Sequence, residues 1–450
     1  MGDPEFLLYK AAQSLKSFGK AYDLLEQKIE EGFWRPNRFE YAVLDHISGN
    51  VIGFEEPNGQ FVARISDYIR KNNEEIRKGA TKKEIAKQIS YTIMEMYEFL
   101  KTRDDCKKNW PIFIDKIEQW FGQASYDIVH YIPCILVPDY AQTFFLGPVQ
   151  FVHIKDIFDG SQGLPHGPLP EANRETLRRA LEENSACWVA KVEITKCLEY
   201  RSLELANLAV DIAIGALKLV VTRKDGGSGM ARATARTLSK WDGSVALYAP
   251  GRAKGLTERS AGNFLSGHEF SKYLFESKQF IINAGASISA FISGKDPLSN
   301  LRQAWCDSVY WYHEGTSEHL TTVSVVKLET AIEALLRTKS SRGSEERIKS
   351  IIKKITGLDS TDMAPDPIGK TVKEYVKSLV AARSRILHGT LSPLIDDAEE
   401  EEEHLIWLSR KLLLIFSHSV GQYSKEINAI DCIDEYLIWL ESNKHNITFY

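Results

Sequence analysis

The sequence predicts a mostly α-helical protein in which a C-terminal helical bundle follows an α+β N-terminal region. Two observations carry this. Apolar residues recur at helical spacing over most of the chain, while β-like runs are confined to Tyr131–Val137, Val149–Ile154 and, as a strand or a helix lead-in, Trp188–Val192. The chain has 450 residues, too many for one ordinary core, so two or three domains are expected.

The elements follow in order. Met1–Phe6 reads as a vector-derived scar and is set aside. Residues 7–125 form a helical N-terminal region, with helices expected at about Leu8–Glu31, Gln60–Lys78, Lys82–Lys101 and Trp110–Phe121 and a turn at Asn58-Gly59. Residues 126–290 form an α+β middle region: the β-like runs, a Gly/Pro-rich loop at Gly160–Pro170, a helix at Glu171–Glu183 and a long, largely buried helix at Leu198–Val221. Gly226-Gly227-Ser228-Gly229 then reads as a flexible loop, because it lacks the Lys-Ser/Thr of a phosphate-binding loop. Pro250–Gly267 reads as a second loop, with Arg252, Lys254 and Arg259 in solvent. Residues 297–445 form the bundle, with helices at Leu298–Glu314, Val323–Thr338, a segment through Val372–Leu387, and Leu405–Ser417. The acidic run Asp396–Glu403 suits the N-terminus of the last of these, where the helix dipole favours negative charge.

The segment Ala381-Ala382-Arg383-Ser384-Arg385-Ile386-Leu387-His388-Gly389-Thr390 is the most informative. Val372, Val376, Leu379 and Val380 make an apolar stripe that runs into Arg383, and Gly389 reads as the left-handed residue closing the helix. Two readings stand side by side. The Arg/His pair acts on RNA, or the last turn carries cations because the macrodipole favours them there.

This Arg-x4-His pattern at a helix end resembles the signature of HEPN domains, and "ARSRILHG" is most similar to the Apea-like branch found in bacterial defence proteins. The resemblance covers roughly Pro297 to His445, and Val325–Leu336, with its "AIEALL" run, resembles the preceding family helix. It implies a metal-independent endoribonuclease, without cofactor, that acts in phage defence or as a toxin. The RNA 2′-hydroxyl attacks the adjacent phosphate and leaves a cyclic phosphate. His388 suits proton transfer and Arg383 suits the charge on the phosphorane. Five residues on a helix amount to about 140° and about 7.5 Å, so the two do not share a narrow face. The family solution is a homodimer whose bundles bring two helix ends together. Ser384, one turn before His388, is placed to orient its ring; many family members carry Asn, Asp or His after the arginine. Arg385 either disfavours the imidazolium or grips a phosphate. Glu333 either pairs with Arg383 or faces solvent. The alternative to the enzyme is a non-catalytic HEPN-fold module that binds RNA, nucleotide or a protein.

The net charge of −5 argues against a general nucleic-acid coat, so RNA contacts must be local. The cationic stretch after Thr338 is the candidate, with Arg342, Arg347, Lys349 and Lys353 as phosphate contacts or as a solvated face. Six scattered cysteines without ligand spacing suggest a reducing cytoplasm and no metal site, and no apolar stretch is long enough to span a membrane. The trigger is not written in the sequence.

Overall fold

A computed structural model describes residues 3–20, 39–44, 49–55, 57–158, 171–233, 242–248, 252–259, 265–338, 341–364 and 369–443. The chain is mostly α-helical and forms two compact units, 1–128 with 194–204, and 129–193 with 205–450.

The first unit begins with α1 (Pro4–Ser14), capped by the Asp3 side chain, so residues set aside as a scar form the first helical turn. The expected helix to Glu31 ends early: Leu15–Lys20 is a strand, β1, and 21–38 lie outside the described residues. Tertiary pairing overrides the helical pattern here. β1 joins β2 (Phe39–Leu44) and β3 (Asn50–Glu55) in an antiparallel sheet of order β1-β3-β2, with Leu15 opposite Phe54. The N-terminal region expected to be helical therefore also carries a sheet. Gln60–Lys78 is two helices, α2 (Gly59–Asn72) and α3 (Glu74–Gly79), because Asn73 is extended and caps the second through its side chain. α4 (Lys82–Glu95) and α5 (Arg103–Ala124) each start on a capping box, Thr81/Glu84 and Thr102/Asp105. One core joins Leu8, Phe54, Ile65, Ile89, Phe113 and, from the distant segment, Leu198, whose N–H donates to the Gly79 carbonyl.

The second unit holds most of a five-stranded sheet of order β5-β6-β7-β4-β8, from β4 (Tyr126–Ile135), β5 (Phe144–Leu146), β6 (Val149–His153), β7 (Trp188–Cys197) and β8 (Ala231–Arg232). Phe144 and Phe151 are cross-strand partners with stacked rings, and Trp188, fully buried, donates Nε1–H to the Val137 carbonyl. α7 (Glu171–Glu183) and the long α8 (Glu199–Val220) follow the expected pattern, a short helix α6 (Ile154–Phe158) that was not expected follows β6, and Gly160–Pro170 lies outside the described residues. After α8 the chain folds back sharply. Gly226 has φ +83°, and a Cβ on Gly227 would lie 2.0 Å from the Val221 carbonyl oxygen, so the glycines serve a tight return rather than a ligand. The segment expected as a basic loop contains a strand, β10 (Arg252–Arg259), paired with β9 (Asp242–Tyr248). The side chains of Arg252, Lys254 and Arg259 are outside the described residues.

α9 (Gly267–Glu276) leads into α10 (Lys278–Ser293), α11 (Ser299–Thr316), α12 (Thr321–Leu336), α13 (Ser341–Thr356), α14 (Val372–Leu387), α15 (Glu399–Tyr423) and α16 (Ile433–Asn443). α10, α11, α12 and α15 pack side by side, and α14 lies against α12, α13 and α15. The expected boundary at 290–297 is not a division between units, because α10 packs on both α11 and β5. Backbone-to-side-chain bonds fix the bundle: Ser308 Oγ donates to the Ala331 carbonyl (2.6 Å) and Trp305 Nε1 to that of Leu413 (3.0 Å). Gly147 (φ +56°) meets Gly285 of α10 backbone to backbone, and a Cβ on Gly285 would lie 2.4 Å from the Gly147 nitrogen. Gly285→Ala is therefore expected to cost about 1–3 kcal/mol, as overpacking does, read by chemical denaturation. A variant as stable as wild type would show that the sheet and α10 are not clamped there.

Candidate functional site

The site is built on α14. Thr371 and Glu374 form a capping box at its start, and Val372, Tyr375, Val376, Leu379, Ala382 and Ile386 are buried along one stripe. The helix closes as its sequence predicts. Gly389 has φ +70°, and the Thr390 N–H reaches back to the Arg385 carbonyl at 2.9 Å, satisfying a terminal acceptor.

Arg383 turns toward α12 and is ringed by acids. Its Nε lies 2.9 Å from Glu329 Oε2 and its Nη2 lies 3.1 Å from Glu333 Oε2, with the side chain 25% exposed. The Arg383–Glu333 pair is thus present. Glu329 is the residue the sequence reading missed: it is fully buried, and neither carboxylate oxygen has an aligned hydrogen-bond donor. The Nε contact is accordingly a charge contact rather than a directed bond. Burial pushes the Glu329 carboxyl up to about 7, and the Glu333 charge adds to this. The Arg383 guanidinium and the Ser344 hydroxyl of α13 oppose the shift. Nη1 of Arg383 makes no hydrogen bond among the described residues. Two carboxylates therefore hold the guanidinium and leave one edge for another acceptor.

His388 follows the last helical residue, with φ −89° and ψ 3°, and its side chain is exposed. Its backbone N–H donates to the Ser384 carbonyl at 3.0 Å. The expected hydrogen bond from the Ser384 hydroxyl to the ring does not form; Ser384 and Arg385 both face solvent. Beyond His388 the chain is tethered to the start of α12: Thr322 Oγ1 donates to the Pro393 carbonyl (2.9 Å) and Thr321 Oγ1 to Asp397 (3.0 Å). Leu387 at the helix end is 59% exposed, and Leu394 and Ile395 between the two anchors are 79% and 88% exposed.

The cationic stretch is largely paired. Arg347, half-buried, donates to the Leu336 carbonyl (2.7 Å) and pairs with Asp434 (3.0 Å), capping α12. Lys349 pairs with Glu345, Lys353 with Asp359 and Lys354 with Glu441, while the side chain of Arg342 lies outside the described residues. Of these only Lys353–Asp359 is exposed on both sides, where such a pair is weak, and together the pairs offset much of the charge surplus that the sequence suggested. The acidic run has structural partners as well, since buried Glu402 binds Arg223 at 2.8 Å.

A second polar cluster lies between α8, α11 and α12. Arg232 clasps Asp211 with two bonds of 3.0 Å, and Lys218, buried and pushed down to about 7 by desolvation, donates to Ser317 Oγ. Burial also holds the His313 imidazole well below its ordinary range. The cluster's bonds link α8 to the segments that follow it and to the end of α11, and so cross-brace the helices. No helix among the described residues is long and apolar enough to cross a membrane.

No protein family, no curated protein and no solved structure matches this chain.

Proposed function

We propose that the chain is a metal-independent endoribonuclease of HEPN type, acting in the cytoplasm as a homodimer through its C-terminal bundle, in phage defence or a toxin-like role. The observation that supports it most is the Arg383 clamp. Glu329 and Glu333 fix the guanidinium and leave Nη1 for a phosphate oxygen, while the same helix ends in an exposed imidazole. In this reading His388 accepts the 2′-hydroxyl proton. The 2′-oxygen bonds to phosphorus, Arg383 stabilises the phosphorane, and the bond to the 5′-oxygen breaks as a second copy's imidazole protonates it. The exposed Leu387, Leu394 and Ile395 beside His388 suit a face covered by that second copy.

A specific observation favours a second reading, an RNA-binding module without turnover: the Ser384 hydroxyl does not orient His388, and Arg383 is already matched by two acids. Labelled tRNA and mRNA incubated with the full chain in excess EDTA separate the two. The enzyme yields fragments with cyclic-phosphate ends. Retardation of RNA without fragments supports the module, and fragments only when Mg²⁺ is restored would overturn the mechanism.

A further inference from the structure

A cavity of about 430 Å³ opens between α13, α14 and α15, away from the helix end that carries His388. That volume falls within the range of about 300–1,000 Å³ typical of small-molecule sites. Its wall is aliphatic on three sides: Ile352 and Ile355 from α13, Val372 from α14, and Leu408, Leu412 and Ile415 from α15. Two polar side chains reach it. The Tyr375 hydroxyl is already engaged, donating to the His404 carbonyl at 3.2 Å. Lys411 is not: its ammonium has no ion pair or hydrogen bond among the described residues. Trp407, one turn before it on α15, lies at the rim and is 40% exposed.

An apolar chamber with one uncommitted cation selects a ligand of matching design. A neutral alkane would leave Lys411 unmatched, and a polyanion such as a nucleotide would bring charges that the aliphatic wall cannot solvate. We propose that this cavity binds an aliphatic monocarboxylate, with the alkyl chain among the α13 and α15 side chains and the carboxylate on Lys411. The site is separate from the helix-end chemistry and does not depend on it. Because Val372 and Tyr375 belong to the helix that bears Arg383, an occupied cavity braces that helix from its other end.

Calorimetric titration of the full chain with decanoate, decanol and decyltrimethylammonium tests this. Decanoate is expected to bind one per chain, about tenfold tighter than decanol, the equivalent of one charge-assisted hydrogen bond, and the ammonium amphiphile is expected to be rejected. Lys411→Met should erase the preference for decanoate over decanol. Ala364→Trp, at another lining residue, should fill the cavity and abolish binding; Ile355→Trp, also in the wall, provides an independent block should the first variant not fold, as judged by circular dichroism. Absence of decanoate binding overturns the proposal. So does a folded blocking variant that binds as wild type does, or a preference for decanoate that survives Lys411→Met.

Discussion

His388→Ala is expected to lower EDTA-resistant RNA cleavage by about 10²–10⁴-fold, the usual contribution of a general acid–base group, with no change in melting temperature. The two halves of this expectation come from different features. The imidazole is the helix-end side chain able both to accept and to donate a proton. Structurally it contributes little: the side chain is exposed, and the capping bond from its backbone N–H to the Ser384 carbonyl survives the substitution. Retained RNA binding by the variant places the loss in chemistry rather than affinity. Cleavage at the wild-type rate would mean that the helix-end histidine has only its capping role.

Arg383→Met is expected to cost about 3–5 kcal/mol of stability as well as activity, because it leaves a buried carboxylate uncompensated beside another. Adding Glu329→Gln should recover most of that loss, since the amide removes the charge and keeps the shape. The pH dependence follows from Glu329. Its folded value of about 7 lies above the ordinary 4.5, so the folded state binds the proton more tightly than the unfolded chain does. The resulting stabilisation is complete below about pH 4.5 and is lost as pH rises through about 7, a swing of about 3 kcal/mol. Glu329→Gln should therefore be more resistant to denaturant than wild type at pH 8 relative to pH 5, and the cost of Arg383→Met should grow over the same interval. Equal costs of Arg383→Met at pH 5 and pH 8 would refute a buried, titrating Glu329.

The parts of the fold legible in the sequence are those where local rules and tertiary packing agree. The α14 stripe, its Gly389 closure and the long apolar α8 were readable because periodicity, caps and burial point the same way. β1 was not, since Leu15–Lys20 continues a helical pattern and becomes a strand only through its partner Phe54, which is distant in sequence. The candidate site divides similarly. Arg383, His388 and Glu333 could be picked out from spacing. Glu329 could have been: it lies four residues after Val325, on the line that also holds Ile332 and Leu336, so a carboxylate on a core face was visible there. What spacing could not supply is that Arg347 caps α12 and that Lys349 and Lys353 meet acids, because those partners depend on how chain segments converge.

The first unit is completed by Ile194–Glu204, with Leu198 in its core and Arg201 bonding the Lys78 carbonyl. The unit is therefore discontinuous along the gene, and no single breakpoint separates it from the rest. A fragment ending at Ile128 would lack Leu198, and one beginning at Val129 would display it to water. Neither unit is a single run of sequence, so neither can be produced whole as one contiguous fragment.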